Sequence, residues 1–192
     1  DVYKRQKFRM IEYHKWKFKA KIFSPLAPLT VKRTPVLMTR VEYGFLGSYN
    51  KYKKSPFETF YMGGDGMSGY SSTYATETIG LRGYENGSIA GNGGYNSYGY
   101  AYSRLSMELR YPFLLEPSST IYGLVFVEAG NAWRDLKDFN PFQLKRSAGV
   151  GVRIFLPMIG LMGIDWAYGF DRPDGYDQRG GSNFHFIIGQ EF

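Results

Sequence analysis

Arg82 is the only basic residue between positions 55 and 98. It lies in the segment IGLRGYENGSIAGNGG, residues 79–94, which contains six glycines and has no periodic apolar pattern. A guanidinium that leaves bulk water must be paired, and arginine offers five N–H donors in a planar fork. The chemistry open to Arg82 is therefore charge-assisted binding of carboxylates. The alternatives are an exposed loop arginine and local pairing with Glu85.

Carboxylates that could receive Arg82 lie downstream, in segments whose polar and apolar residues alternate. Glu108 and Glu128 lie on the polar faces of two consecutive segments, and Phe126 shares the face of Glu128. Two carboxylates on neighbouring strands repel each other unless a cation lies between them, and an aromatic ring favours the same cation. Gly83 would permit a close backbone approach or a positive φ beside Arg82.

Residues suited to covalent catalysis are few. The chain has two histidines, His14 and His185, on different segments, and it has no cysteine. A zinc site or a cysteine nucleophile therefore has little or no ligand set. The glycine clusters GGDGMSG and GNGG lack the GxxxxGK[ST] pattern of a phosphate-binding loop. We expect no enzyme, no metal and no cofactor.

Seven segments alternate strictly enough to predict β-strands, in which successive side chains point to opposite faces. They are strands A (8–23), B (36–48), C (97–113), D (121–129), E (147–156), F (162–169) and G (184–192). Each has a mainly apolar face, and most have a second face that is polar or rich in glycine. The fold class that this predicts is all-β, with an antiparallel sheet.

Composition restricts the class of protein further. Hydrophobic residues make up 43% of the 192 residues and aromatic residues 18%, without any cysteine. No run approaches the roughly 20 apolar residues of a membrane helix, so any membrane role must use strands. The net charge of +7 is concentrated in the first 33 residues, where Lys15, Lys17, Lys19 and Lys21 alternate with apolar residues. A solvated strand face is the preferred interpretation and a nucleic-acid groove the alternative, so no nucleic-acid partner is expected.

The connections between these strands alternate in length. Long ones follow strands B (49–96), D (134–145) and F (170–182), whereas strand E is followed only by 157–160 and strand C by the short LLEPSS. Long loops on one side and short turns on the other are typical of an outer-membrane barrel, whose apolar strand faces contact the lipid bilayer. The A-to-B connection (24–35) is longer than a usual periplasmic turn, and a soluble β-sandwich is the alternative. Since bacterial barrels usually close with an even strand count, seven strands indicate part of a larger barrel.

The first six residues, DVYKRQ, resemble a translated sequencing adaptor. We interpret Asp1 to Gln6 as an artefact and exclude it from the fold. The expected barrel part is then 7–192, and the true beginning of the protein would lie upstream.

Several motifs, in order, resemble one family. They are FETFYMGG, LRGYE, VFVEAGNAW, SAGVGVRIFLPMIG and the terminal FHFIIGQEF. Together they are similar to the carboxyl half of the BamA-type outer-membrane assembly factors, within the bacterial surface antigen superfamily. The resemblance covers 7–192 and implies the last seven strands of a barrel of about sixteen. It also implies periplasmic POTRA repeats upstream, through which accessory assembly proteins would bind.

The resemblance also implies a place for Arg82. In this family the long loop (here about 49–96) folds back into the barrel, and the arginine of a V/I-R-G-F/Y motif contacts acidic and aromatic side chains of the inner wall. Leu81, Arg82, Gly83 and Tyr84 match that motif, with Leu81 in place of a β-branched residue. We therefore expect Arg82 to lie within about 3 to 4 Å of Glu128, Glu108 or both, beside Phe126.

The terminal segment resembles the β-signal of outer-membrane proteins. Phe184, Phe186, Ile188 and Phe192 share one face, and Gly189 would weaken or kink the strand. An ordinary lipid-facing strand is the alternative. The function that the resemblance implies is folding and insertion of unfolded outer-membrane protein clients in the cell outer membrane, without covalent chemistry. A two-partner-secretion pore of the same superfamily and a passive porin remain alternatives.

Overall fold

The computed structural model describes residues 12–28, 30, 33–49, 54–55, 58–66, 77–89, 98–116, 118–158 and 160–189. The strands are β1 (Tyr13–Pro25), β2 (Val36–Ser48), β3 (Phe60–Met62), β4 (Glu77–Ile79), β5 (Ala101–Glu116), β6 (Ser119–Trp133), β7 (Lys145–Leu156), β8 (Gly160–Gly169) and β9 (Gly181–Ile188). A single 3₁₀ turn, Leu136–Asp138, lies between β6 and β7. Within these ranges, no helix has the length and apolar character needed to cross a membrane.

Seven long strands form one antiparallel sheet in the order β1-β2-β5-β6-β7-β8-β9. Each long strand pairs with the next long strand along the chain, as connected antiparallel neighbours do. The predicted all-β antiparallel fold is therefore confirmed. β1 and β9 lie at the two edges of this sheet. The predicted artefact, 1–6, lies outside the described residues, as does the predicted start of strand A (8–11).

The two faces of the sheet differ in chemistry. One face, here called the outer face, presents large apolar side chains such as Trp16, Ile164 and Phe184, which are 70%, 52% and 67% exposed. The opposite, inner face carries buried polar side chains, including Glu108 and Glu128. The strict alternation of strand side chains produces this division, and apolar-out, polar-in is the pattern of a transmembrane barrel wall.

The core lies between the inner face and the β2–β5 connection. Its buried apolar residues come from both sides of that contact: Leu46, Phe60, Met62, Ile79, Leu81, Tyr84, Ile89, Tyr100, Tyr102 and Ala132. β3 and β4 form a small parallel ladder within the connection. Phe60 bridges to Gly99, two residues before β5, which fixes the ladder to the wall. Burial of this apolar surface holds the connection against the inner face.

β5 is longer than predicted. The sequence predicts an end at Phe113 and a connection LLEPSS, but Leu114, Leu115 and Glu116 continue the ladder opposite Ile121, Thr120 and Ser119. The register shifts between Pro112 and Leu114, so that Phe113 is left out of the pairing. Proline has no N–H to donate, and a bulge is how a sheet accommodates it. At the other end of the chain, β9 begins three residues before predicted strand G.

Candidate functional site

The residues 81–84 are placed on the inner face by the small ladder that precedes them. Leu81 pairs with Gly64, its N–H donating to the Gly64 carbonyl at 3.1 Å. Ile89 then returns to Met62 through a 3.1 Å backbone hydrogen bond. These two contacts fix both ends of the short loop between them. Leu81, Arg82 and Tyr84 within this loop are completely buried.

The Arg82 guanidinium contacts three carboxylates. Its Nη2 donates to Glu108 Oε1 at 2.5 Å and to Glu128 Oε1 at 2.7 Å, and its Nη1 donates to Asp165 Oδ2 at 2.9 Å. The Arg82 backbone N–H donates to the second oxygen of Glu128 at 2.9 Å. The guanidinium carbon also lies 3.5 Å from the centroid of the Phe126 ring. One side chain thus joins three strands of the wall, β5, β6 and β8.

Strand register explains why these groups meet. Phe126 lies opposite Glu108, Glu128 lies opposite Ser106, and all four side chains belong to the inner face. Two glycines of β7 leave the space that the larger groups occupy. A Cβ on Gly149 would lie 2.5 Å from the Phe126 ring, and one on Gly151 would lie 1.7 Å from Asp165 Oδ1. The glycine-rich face of β7 is therefore a recess for the aromatic ring and the carboxylate.

Further arginines extend this contact into a network. Arg104 donates to Glu128 Oε1 at 2.9 Å, and Arg110 donates to Glu108 Oε2 at 2.7 Å. Arg153 binds Asp165 through both of its Nη atoms, at 2.5 and 2.6 Å. Buried ions persist only where opposite charges and hydrogen bonds replace water. Each of the three carboxylates around Arg82 has a second arginine on the wall, so none depends on Arg82 alone.

The pKa of Arg82 reflects this setting. Burial by itself lowers the pKa of a guanidinium, but the nearby carboxylates of Glu128 and Glu108 outweigh that effect and raise the pKa of Arg82. The side chain is therefore a permanent cation, and its role is binding rather than proton transfer.

Gly83 requires both the absence of a side chain and a left-handed backbone. Its φ is +88°, and a Cβ there would lie 2.9 Å from the Gly169 nitrogen and 2.9 Å from Ser147 Cβ. Its N–H donates to His185 Nε2 at 2.9 Å, and its carbonyl accepts from Asn183 Nδ2 at 3.0 Å. The backbone at Gly83 therefore reaches β9, at the edge of the sheet.

Tyr84 fixes residues 81–84 to the beginning of β7 and to the loop that follows β8. Its hydroxyl donates to the Arg146 carbonyl at 2.6 Å and accepts from the Asp171 N–H at 3.4 Å. Burial raises the pKa of Tyr84 to about 12. The phenol consequently remains a neutral donor at physiological pH.

The structure brings most of the predicted site residues together. Arg82 lies against Glu108, Phe126 and Glu128, while Glu85 is exposed and its carbonyl receives Ser88 Oγ. Asp165, Arg153 and His185 belong to the same contact and were not predicted as part of it. A signal for them existed: each lies on the polar face of its predicted strand, the face that Glu128 shares. The tilt of the strands, which determines their height on the wall, is not readable from that pattern.

The predicted β-signal residues lie elsewhere. Phe184, Phe186 and Ile188 are exposed on the outer face of β9, 67%, 58% and 66% respectively. Gly189 follows with φ +73° and donates its N–H to the Leu161 carbonyl at 2.7 Å. Phe192 lies outside the described residues. Among the residues that are described, no cluster of His, Cys, Asp and Glu could hold a metal ion.

Comparison with known proteins identifies the family. The model of the Omp85 superfamily domain matches residues 8–192. A search of curated proteins gave no match. Among solved structures, the chain is similar to BamA from Haemophilus ducreyi lacking POTRA domains 1–3, with a TM-score of 0.60 and 21% identity over 92% of this chain. The match spans 35% of the length of that structure. The chain belongs to the Omp85 superfamily and is part of an outer-membrane β-barrel protein.

Proposed function

We propose that this chain is part of a barrel that folds and inserts other β-barrel proteins into the cell outer membrane, without covalent chemistry. The observation that carries the proposal is the contact of the Arg82 segment with successive strands up to the sheet edge. Arg82 binds carboxylates on β5, β6 and β8, and Gly83 next to it binds His185 and Asn183 on β9.

In this proposal β9 pairs only weakly with the first strand of the full barrel, and its edge templates the client. An unpaired strand edge presents backbone N–H and C=O groups to an incoming strand, which can pair with it by β-augmentation. The exposed apolar side chains of β9 place that edge in the lipid, where a client strand must be inserted. The contacts of Gly83 with His185, which is buried, and with Asn183, which is half-buried, hold the inner side of β9, so the loop keeps the template in one register.

Unfolded outer-membrane proteins and the lipid bilayer are the partners of this reaction, and accessory assembly proteins would bind through repeats upstream of the chain. The two other functions expected from the superfamily give different products. A secretion pore releases its client on the far side of the membrane, and a passive porin conducts ions without folding a client.

The experiment uses the full-length protein in liposomes, with an unfolded outer-membrane protein as client. The readout is the client's folding rate, measured by the appearance of its heat-modifiable, protease-resistant form. Arg82→Ala should fold, since each carboxylate keeps a second arginine, but slow client folding at least tenfold. Arg146→Ala is the matched control, because its guanidinium is largely exposed and pairs with Asp171 outside the network. Folded Arg82→Ala protein with an undiminished rate, or a client found soluble inside the liposomes, would overturn the proposal.

A further inference from the structure

Arg40 is a buried arginine that the network around Arg82 does not use. It lies on the inner face of β2 and is 2% exposed. Its Nε and Nη2 atoms are buried without a hydrogen-bond partner in the part of the chain that the structure describes. Directly opposite it are Lys21 on β1 and Ser106 on β5, so neither neighbouring strand offers a carboxylate at that register.

A cavity of about 240 Å³ lies beside this side chain. Its charged lining consists of four basic residues, Lys17, Lys19, Arg40 and Arg104, and three acidic residues, Glu42, Asp65 and Glu77. The lining thus carries one more positive than negative charge.

Each of the other basic residues of the cavity has a carboxylate. Lys17 pairs with Glu77 at 3.0 Å, Lys19 with Glu42 at 2.8 Å, and Arg104 with Glu128 at 2.9 Å. The lysines of β1 therefore face the inner side of the sheet, where Lys17 and Lys19 form ion pairs with carboxylates. Arg40 differs from these three residues in making no ion pair with a described residue, and two of its donors are buried without a hydrogen-bond partner among the described residues.

We propose that Arg40 and this cavity form a binding site for a compact free oxyanion of the phosphate or sulfate class. Buried N–H donors that lack acceptors are unfavourable, and the planar fork of Arg40 matches the oxygens of such an anion. The volume is below the range of pockets for drug-sized ligands and suits a compact ion. The site adjoins the carboxylates that hold Arg82, through Arg104 and its partner Glu128, but it does not depend on the assembly function.

The test measures anion binding to the full-length protein in a phosphate-free, non-ionic detergent. Inorganic phosphate and sulfate are titrated calorimetrically, against sodium chloride of equal ionic strength. The wild-type protein should bind one phosphate saturably, and its Tm should rise with phosphate but not with chloride. Arg40→Met should weaken phosphate binding at least tenfold. Lys145→Met is the control, since Lys145 pairs with Asp174 in an outer loop, and it should bind phosphate as the wild type does.

The sign of the stability change is a second readout. In chloride alone, Arg40→Met should be at least as stable as the wild type, because it removes an unpaired buried charge. In saturating phosphate the wild type should be the more stable of the two. If Arg40→Met does not fold, Arg40→Lys replaces it, and its phosphate binding should again be weaker because an ammonium cannot present the same fork.

Three results would overturn the proposal. One is the absence of saturable phosphate and sulfate binding by the wild type, since Arg40 would then be satisfied within the full-length protein. Another is unchanged phosphate binding by Arg40→Met, which would place the anion elsewhere. The third is stabilisation by phosphatidylglycerol without any by inorganic phosphate, because the occupant would then be a lipid headgroup.

Discussion

The Nη2 atom of Arg82 lies 2.7 Å from Oε1 of Glu128, and the Arg82 backbone N–H lies 2.9 Å from Oε2 of the same carboxylate. Both oxygens of Glu128 thus accept a hydrogen bond from Arg82, which is 46 positions away in the chain. This double contact fixes the backbone of the loop as well as its side chain. A substitution that preserves only the charge at position 82 therefore cannot reproduce the whole contact.

Arg82→Lys should destabilise the barrel by about 1–3 kcal/mol, because an ammonium cannot bridge Glu108, Glu128 and Asp165 with the geometry of the guanidinium fork. The measurement is the thermal unfolding of the full-length protein in detergent micelles. Arg146→Lys, on an exposed arginine, should leave the thermal unfolding of the protein unchanged. Equal stability of Arg82→Lys and wild type would show that the three carboxylates do not need the fork.

Gly83→Ala should loosen the segment 81–84, since alanine disfavours φ +88° and its methyl group would press on Gly169 and Ser147. Backbone strain and overpacking together are expected to cost about 2–4 kcal/mol. Gly160→Ala separates the two effects, because Gly160 has φ +94° but no atom within 4 Å of a built Cβ. Protease cleavage near position 83 should accelerate in Gly83→Ala only. Equal protection in both variants would contradict the close packing at Gly83.

The raised pKa of Tyr84 predicts that the folded protein loses stability at alkaline pH. Its pKa is raised to about 12 in the folded protein, above the ordinary tyrosine value of about 10. A raised folded pKa contributes stability below the unfolded pKa, and this contribution is lost as pH rises from about 10 towards 12. The stability advantage of wild type over Tyr84→Phe should therefore shrink across that window in thermal unfolding. A constant difference from pH 8 to 12 would show that the Tyr84 phenol is not buried.

Ile164→Lys tests the orientation of the wall. Ile164 is in the middle of β8 and 52% exposed on the outer face, so a lysine there should cost about 2–4 kcal/mol near the bilayer midplane. Gln178→Lys, in the exposed loop after β8, is the control and should have little effect. The readout is the folded, heat-modifiable fraction in lipid vesicles. Similar folding of the two variants would mean that this face of β8 does not contact lipid.

Alternation in the sequence is sufficient to predict the antiparallel sheet and which residues of nearly every strand face inward, because successive side chains of a strand point to one side of the sheet or the other. The alternation alone assigns Glu108, Phe126 and Glu128 to one face. It could not predict Asp165 as a ligand of Arg82. That contact depends on strand tilt and on the space above Gly151, which are properties of the assembled sheet. The end of β5 was also missed, since LLEPSS has the composition of a turn while the bulge after Pro112 extends the pairing.

The position of the Arg82 loop came from family resemblance, not from the residues alone. Nothing in the segment 79–94 indicates where it packs, because glycine-rich loops have no periodicity. The buried position of residues 81–84 follows from long-range contacts such as Phe60 with Gly99 and Leu81 with Gly64. Such contacts join residues whose pairing has no local signature.

The most direct test of the contact between Arg82 and the inner wall is a double-mutant cycle on Arg82 and Glu128. The full-length barrel is unfolded thermally as wild type, Arg82→Met, Glu128→Gln and the double variant. If the two side chains interact as the structure places them, the double variant should lose about 1–3 kcal/mol less than the sum of the single losses. Additive losses, within about 0.5 kcal/mol, would contradict the account, because Arg82 would then not be bound to the inner wall through Glu128.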